Sequence, residues 1–449
     1  MRLTTLPALM LAASLVAPCS AWAQTPEEAD TLREEIARLR AELESLEARL
    51  GKMETGTVRA QTSQPAEPAV ETRSETQVAW KGAPQFSSSE GFTFDPRGRL
   101  QLDMNSISRP EGMEAPLGWA ADVRRAYLGV DGTLGGGFGY RLELDFASGS
   151  AQFTDAWLSF ERGPLTLTLG HHRITTLDDM TSDLETSFLE RAGFTQAFGF
   201  ERRLGLSATY EKGDLQLSAG MFSDDLETLG TADVRANSYS FDTRLVFMPK
   251  FGDTRLHLGG SFHHRELNDL TQTVQYRARP GARTTDMRFV DTDSFDATAE
   301  TGYGLEFAVL HGPFHGAAEG FWQHVETPGT PDPLFFGAYG EIGYVFAGGK
   351  ARGYEDGAFT SIKPTRGLDK GGWGAWQVNV RYDWLDLNHG AVVGGRQQTW
   401  GASLVWVPVE RVKFLANYLR VDVAGTPILA GTRDDYAADV FGLRAQYEF

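Results

Sequence analysis

From Phe92 to Phe449 the chain runs in short segments that alternate apolar and polar residues, separated by Gly, Pro, Asp or Asn. In RLQLDM, Leu100, Leu102 and Met104 fall on one side and Arg99, Gln101 and Asp103 on the other. YRLELDF opposes Tyr140, Leu142, Leu144 and Phe146 to Arg141, Glu143 and Asp145. LTLTLG, SYSFDTRLVF, WQVNVRYDW and TWGASLVW repeat the pattern. A period of two predicts strands with one greasy and one polar face. Sixteen such segments begin near residues 92, 122, 138, 153, 164, 199, 214, 236, 253, 301, 314, 334, 373, 395, 410 and 437. The last, VFGLRAQYEF, ends flush on Phe449, with Phe441, Leu443, Ala445 and Tyr447 on the same side as that ring.

Alternation alone fits a soluble sandwich, whose apolar faces pack together, as well as a membrane barrel, whose apolar face meets lipid. Aromatic placement favours the barrel. Trp157 and Phe160, Trp400 and Trp406, and Tyr447 and Phe449 sit toward segment ends, where interfacial girdles are expected. Tight turns such as ERGPL, EKGDL and VPVERV alternate with long connections, one around TLDDMTSDLETSFLERAGFTQ and a longer one from Glu266 to Glu300. The pattern predicts an all-β, 16-stranded antiparallel transmembrane β-barrel over residues 91–449. An even strand count brings both barrel termini to the periplasmic side.

The N-terminus is different. MRLTTLPALMLAASLVAPCSAWAQ has an early arginine, an apolar stretch and Ala21-Trp22-Ala23, the pattern of a signal peptide over residues 1–23. Cys19, the one cysteine, lies within it; acylation there is the rival reading, and Pro18 before it suits that site poorly. Next, Ile36, Leu43 and Leu50 alternate with Leu32, Leu39, Leu46 and Met53 at heptad spacing, which predicts a coiled coil over residues 24–54. Its simplest partner is another copy of the chain, dimeric or trimeric. Residues 55–90 read as a flexible linker rich in Pro, Ser, Thr and Glu.

Composition excludes other classes. A formal charge of -18 argues against nucleic acid as a partner. No apolar run beyond the N-terminus is long enough for a spanning helix. A mature chain without cysteine has no disulfide and no Cys-ligated metal. His171-His172 and His263-His264 are adjacent pairs that should point to opposite faces of a strand, with no third spaced ligand, so no metal or other cofactor is expected. GGGFGY leads into a strand rather than a helix and reads as a hairpin turn. No nucleophile elbow or zinc-protease motif is present, so an enzyme is not expected.

Several motifs, in order, resemble the phosphate-selective porin O/P family: GRLQ at 98–101, RRAYL at 124–128, LERA at 189–192, YRARP at 276–280, TSIKP at 360–364 and RYD at 381–383. That resemblance, which runs from about residue 92 to the C-terminus, implies a trimeric sixteen-stranded pore with an arginine ladder leading anions to a loop constriction. Carried over, it places Arg99, Arg124 and Arg125 in the periplasmic part of the ladder, Arg191 and Ser182 at the constriction, and Arg277 and Arg279 in the outer part, with Arg283 nearby outside the matched pattern. Guanidinium groups suit this task because they fork onto oxyanion oxygens and stay charged. Arg124 and Arg125 are adjacent, so both can face the bore only across a bulge. The sequence departs from the family where Asp179 stands for a constriction lysine, with Asp178, Asp183 and Glu185 close by. A carboxylate ring favours cations or neutral solutes, so the preferred solute stays open on these residues.

The resulting expectation is an outer-membrane porin passing small hydrophilic solutes, with phosphate or another oxyanion as the candidate. Its partners would be outer-membrane lipid, two further copies of the chain and, through the coiled coil, the cell wall. The alternatives are a tether or adhesin whose barrel only anchors it, and a secreted soluble β-protein.

Overall fold

The computed structural model describes residues 76–174, 180–181, 184–199, 201–226, 237–270 and 272–449. The expected signal peptide and coiled coil, the linker as far as residue 75, and Asp178, Asp179, Ser182 and Asp183 lie outside them.

Sixteen strands make one antiparallel barrel: β1 (Thr93–Ile107), β2 (Trp119–Gly135), β3 (Phe138–Asp145), β4 (Gln152–Arg162), β5 (Leu165–His172), β6 (Arg203–Lys212), β7 (Leu215–Phe222), β8 (Tyr239–Phe247), β9 (Thr254–Glu266), β10 (Ala299–His311), β11 (Phe314–Glu326), β12 (Leu334–Ala347), β13 (Ala375–His389), β14 (Val392–Val409), β15 (Val412–Ala424) and β16 (Tyr436–Glu448). Each pairs with the next, and β16 closes on β1 in a register running from Val440↔Ile107 to Glu448↔Arg99. Closure removes the free edges that an open sheet this large would expose. All sixteen segments read from the alternation are strands.

The pleat decides the two surfaces. Along β1, Leu100, Leu102 and Met104 are exposed on the outside while Arg99, Gln101, Asp103 and Asn105 are buried inside. The same division on other strands gives a continuous apolar outer belt, with Trp119, Tyr239, Tyr303 and Trp400 toward one rim and Phe138, Phe314, Phe346 and Tyr447 toward the other. Trp157 departs from the expectation. It lies three residues from Phe160, so the two face opposite ways; Phe160 packs outside on Phe138, and Trp157 lies inside under the Arg141 guanidinium.

One rim, the turn end, carries tight connections such as Arg162–Leu165 and His311–Phe314, where Gly163 and Gly312 take positive φ. The loop end carries the long ones. Two connections break this rule. Gly390 makes a tight turn between β13 and β14 at the loop end, and residues 348–374 form a long turn-end segment that reaches into the barrel.

The linker expected over residues 55–90 needs correction. Within it, Thr76–Trp80 and Pro84–Ser88 form a hairpin, and Phe86 and Ser87 pair with Phe94 and Thr93 of β1. Five-residue strands beside a polar, proline-bearing stretch carry too few alternations to stand out from linker composition.

Inside, the bore is filled on one side. The β5–β6 loop bears a short helix, α1 (Gly193–Phe198), and it packs with the β9–β10 loop and the turn-end segment. Phe188, Phe194, Phe198, Tyr276, Phe289 and Phe359 bury their rings there against Phe321, Phe335, Leu385 and Leu419 of the wall. Apolar burial of this size is the main stabilising term for loops that would otherwise hang free. What remains open lies toward β2–β5.

A candidate solute path lined by arginine

The β5–β6 loop crosses the bore because the wall and the 348–374 segment satisfy its backbone. The Arg352 guanidinium donates to the Glu185 carbonyl at 2.5 Å and to the Ser187 hydroxyl at 2.7 Å. The Arg381 guanidinium donates to the Glu190 carbonyl at 3.1 Å, and the Ser403 hydroxyl to the Ser187 carbonyl at 2.6 Å. Gln446 reaches the Leu184 carbonyl at 3.1 Å, and the Lys413 ammonium bonds the same oxygen. Buried carbonyls without partners would be costly, so these donors fix the loop's path.

Glu190 is the second anchor. Its carboxylate takes two hydrogen bonds from Arg124, at 2.5 and 3.0 Å, and lies 3.5 Å from Arg444, which also grips Asp103 at 2.6 and 2.7 Å. Burial alone would raise this carboxyl; Arg124, through its charge and hydrogen bonds, and then Arg444 hold it down to about 2. Arg124 can reach it because β2 is bulged. Gln101 pairs with Arg125 and Leu102 with Val123, which leaves Arg124 as the extra residue. Both arginines therefore face inward, and Arg125 donates to Gln101 at 2.8 Å.

Beside this anchor opens a cavity of about 930 Å³. Arg124, Arg125, Arg173, Arg191, Arg202, Arg279 and Arg283 line it, against the carboxylates of Asp145, Glu190, Glu201 and Asp225. Five of the eight expected site residues thus meet in one place. Arg191 donates to the Thr181 carbonyl at 2.6 Å, Arg279 to the Thr285 carbonyl at 2.9 Å, and Arg283 to the Arg124 carbonyl at 2.9 Å. Arg124 and Arg125 therefore share one cavity with Arg191. Arg283, outside the matched family pattern, belongs with them.

Two expected residues lie elsewhere. Arg99 is nearer the turn end, 3.6 Å from Glu143 and over the Tyr127 ring, beside a separate cavity of about 450 Å³. Arg277 is exposed on a two-residue strand opposite Asp291 and does not line the large cavity. Ser182 lies outside the described residues. Arg277 still has an electrostatic role: Arg288 is lowered to about 10 by burial first, then by the neighbouring Arg279 and Arg277. Cations are crowded in this loop.

Sequence reading missed Arg173 and Arg202 on the cavity wall, and Arg352, Lys413 and Arg444 behind the loop. Arg444 carried a usable signal, since it falls on the polar side of the last strand. Arg352 carried none. The four histidines are hydrogen-bonded within the protein: His171, on the cavity wall, bonds the Thr154 carbonyl at 3.0 Å, His172 bonds Ser207 at 2.7 Å, His263 meets Asp242, and His264 bonds Thr301 at 2.9 Å. Among the described residues no cluster of His, Cys, Asp and Glu could hold a metal ion.

A closed barrel with an apolar exterior, a polar bore and an inward loop beside a charged opening has the architecture of an outer-membrane porin. The chain belongs to the family of phosphate-selective porins O and P, whose model matches residues 94–449. It is 40% identical over 480 residues to an uncharacterized protein of Caulobacter vibrioides, covering 100% of this chain and 96% of that one. It is 24% identical over 446 residues to Porin O of Pseudomonas aeruginosa, covering 88% and 94%. Among solved structures, OmpT of Vibrio cholerae superposes with a TM-score of 0.51 at 14% identity, over 80% of this chain and 99% of that one. The outer membrane channel DcaP of Acinetobacter baumannii does so with 0.51 at 13%, over 81% and 99%. The protein is an outer-membrane porin.

Proposed function

We propose that this porin passes small hydrophilic anions by passive diffusion, with oxyanions such as phosphate as the favoured class. The observation that carries the proposal is the cavity lined by seven arginines and four carboxylates: with Arg124 paired to Glu190 and Arg202 to Asp155, five further arginines still face three further carboxylates. In a narrow, low-dielectric opening such an excess raises local anion concentration and lowers the entry barrier for negative solutes. The overall charge of -18 does not oppose this, because selectivity follows the field at the constriction rather than the net charge. Residues 1–23 direct export, residues 24–54 pair between copies in the periplasm, and the barrels associate as trimers. A trimer form of Vibrio cholerae OmpT, with a TM-score of 0.51, supports that assembly.

Planar-bilayer recordings test the proposal. The purified protein should insert as discrete conductance steps, whereas a barrel serving only as an anchor gives none. Arg191→Ala and Arg279→Ala should each lower the anion-to-cation permeability ratio by about twofold or more, the loss of one charge at low dielectric. Arg277→Ala should change it less. Equal effects from all three would show that the cavity is not the selective element.

A further inference from the structure

The hairpin before β1 has a place in the barrel wall. At the seam, Phe449 follows the last residue of β16, and its N–H and carbonyl bond Gly98 in both directions at 3.0 Å. Beyond that point toward the turn end, β1 would have a bare edge. Pro84–Ser88 fills the vacated lane: the Gln85 side chain reaches the Pro96 carbonyl at 3.5 Å, and Phe86 and Ser87 pair with Phe94 and Thr93. Thr76–Trp80 adds the next lane, and the hairpin tip meets the β14–β15 turn, where the Arg411 side chain lies over Gly82.

Parity then fixes which way each residue faces. Phe94 is an even position on β1, on the outer side with Leu100, Leu102 and Met104. Phe86 pairs with Phe94, Val78 with Phe86 and Trp80 with Pro84. All four apolar side chains therefore continue the outer, lipid-facing surface, while Gln77, Ala79, Gln85 and Ser87 take the other side. Phe86 and Phe94 have ring centroids 6.1 Å apart, and Val78 and Trp80 are 61% and 75% exposed. Trp80 lies level with Pro96, two positions and roughly 7 Å past the Gly98–Phe449 pair. It is next to Lys81, the aromatic-then-cation order of a membrane–water boundary.

We propose that the Thr76–Ser88 hairpin is a membrane-docking element, with Val78, Trp80, Phe86 and Phe94 seated in the headgroup region of the periplasmic phospholipid leaflet. A soluble linker has no reason to place a tryptophan and a valine outward in register with a lipid belt. Continuity with that belt selects lipid as the occupant over a free partner protein.

Nitroxide labels test this in the full chain carrying Cys19→Ser. Labels at Trp80→Cys and Val78→Cys are compared with Phe346→Cys in the outer belt and Gln77→Cys on the opposite face. The carrier is a vesicle of phosphatidylethanolamine and phosphatidylglycerol. Collision with oxygen should exceed collision with a nickel chelate at 80 and 78, as at 346, and the reverse should hold at 77. Nickel access at 80 and 78 equal to that at 77 would overturn the proposal. So would spin–spin broadening between copies at these sites, which would make the patch a contact with a second chain. Unchanged conductance steps confirm that each labelled barrel is folded.

Discussion

Arg124 and Glu190 anchor the inward β5–β6 loop at the level of single side chains. Removing one partner of a buried ion pair leaves the other charge stranded, which costs about 3–5 kcal/mol. Glu190→Gln should therefore loosen the β5–β6 loop and raise open-channel current noise, while the anion preference stays or rises because a carboxylate has gone. A fall in anion preference would mean that Glu190 positions Arg124 and Arg191 more than it opposes anions. The pH dependence has a definite sign. With Glu190 held down to about 2 against an ordinary value of 4.5, its contribution is complete above 4.5 and is lost as pH falls toward 2. The current should stay quiet at pH 4 and become noisy only on approach to pH 2; noise already rising at pH 5 would contradict the buried pairing. The adjacent arginines of β2 show how far a sequence reaches at this scale. Their spacing shows that a bulge is required, but the bulge itself is set by pairing with Gln101 and by Glu190, 66 residues from Arg124.

At the scale of elements, the β5–β6 loop is clamped from two sides, by wall donors and by the 348–374 segment. The Phe359 N–H bonds the Met180 carbonyl, and Arg352 lies 4.3 Å over the Phe359 ring while donating to Glu185 and Ser187. Arg352→Ala should release that side of the clamp, seen as voltage-dependent closures at lower potentials than in the unaltered protein. An unchanged closure threshold would leave the remaining donors sufficient. Strands were the legible elements, because a period of two needs only neighbours along the chain. Loop anchoring was not legible: Arg352 and Ser187 are 165 positions apart and share no pattern. The hairpin lies between these cases. Its alternation is present in TQVAW and PQFSS, but each run is five residues and sits against a polar stretch.

At the scale of the whole molecule, the barrel's outer belt, the one-sided aromatic filling of the bore and the arginine cavity toward β2–β5 are a single arrangement. Packing Phe188, Phe194, Phe198 and Phe289 into one half leaves the open space beside the guanidinium groups of the other half, the path proposed for the solute. If the heptads of residues 24–54 contribute to assembly, deleting residues 24–75 should lower the temperature at which the proposed trimer separates in mild detergent. An unchanged separation temperature would assign assembly to the barrels alone. The most direct measurement is the zero-current potential of the unaltered protein across a bilayer with a tenfold KCl gradient. A bore governed by this cavity gives the sign of chloride permeating faster than potassium, and phosphate added in the same salt should reduce the chloride current by occupying the arginines. A potential of the opposite sign, with no effect of phosphate, would contradict an anion-favouring constriction.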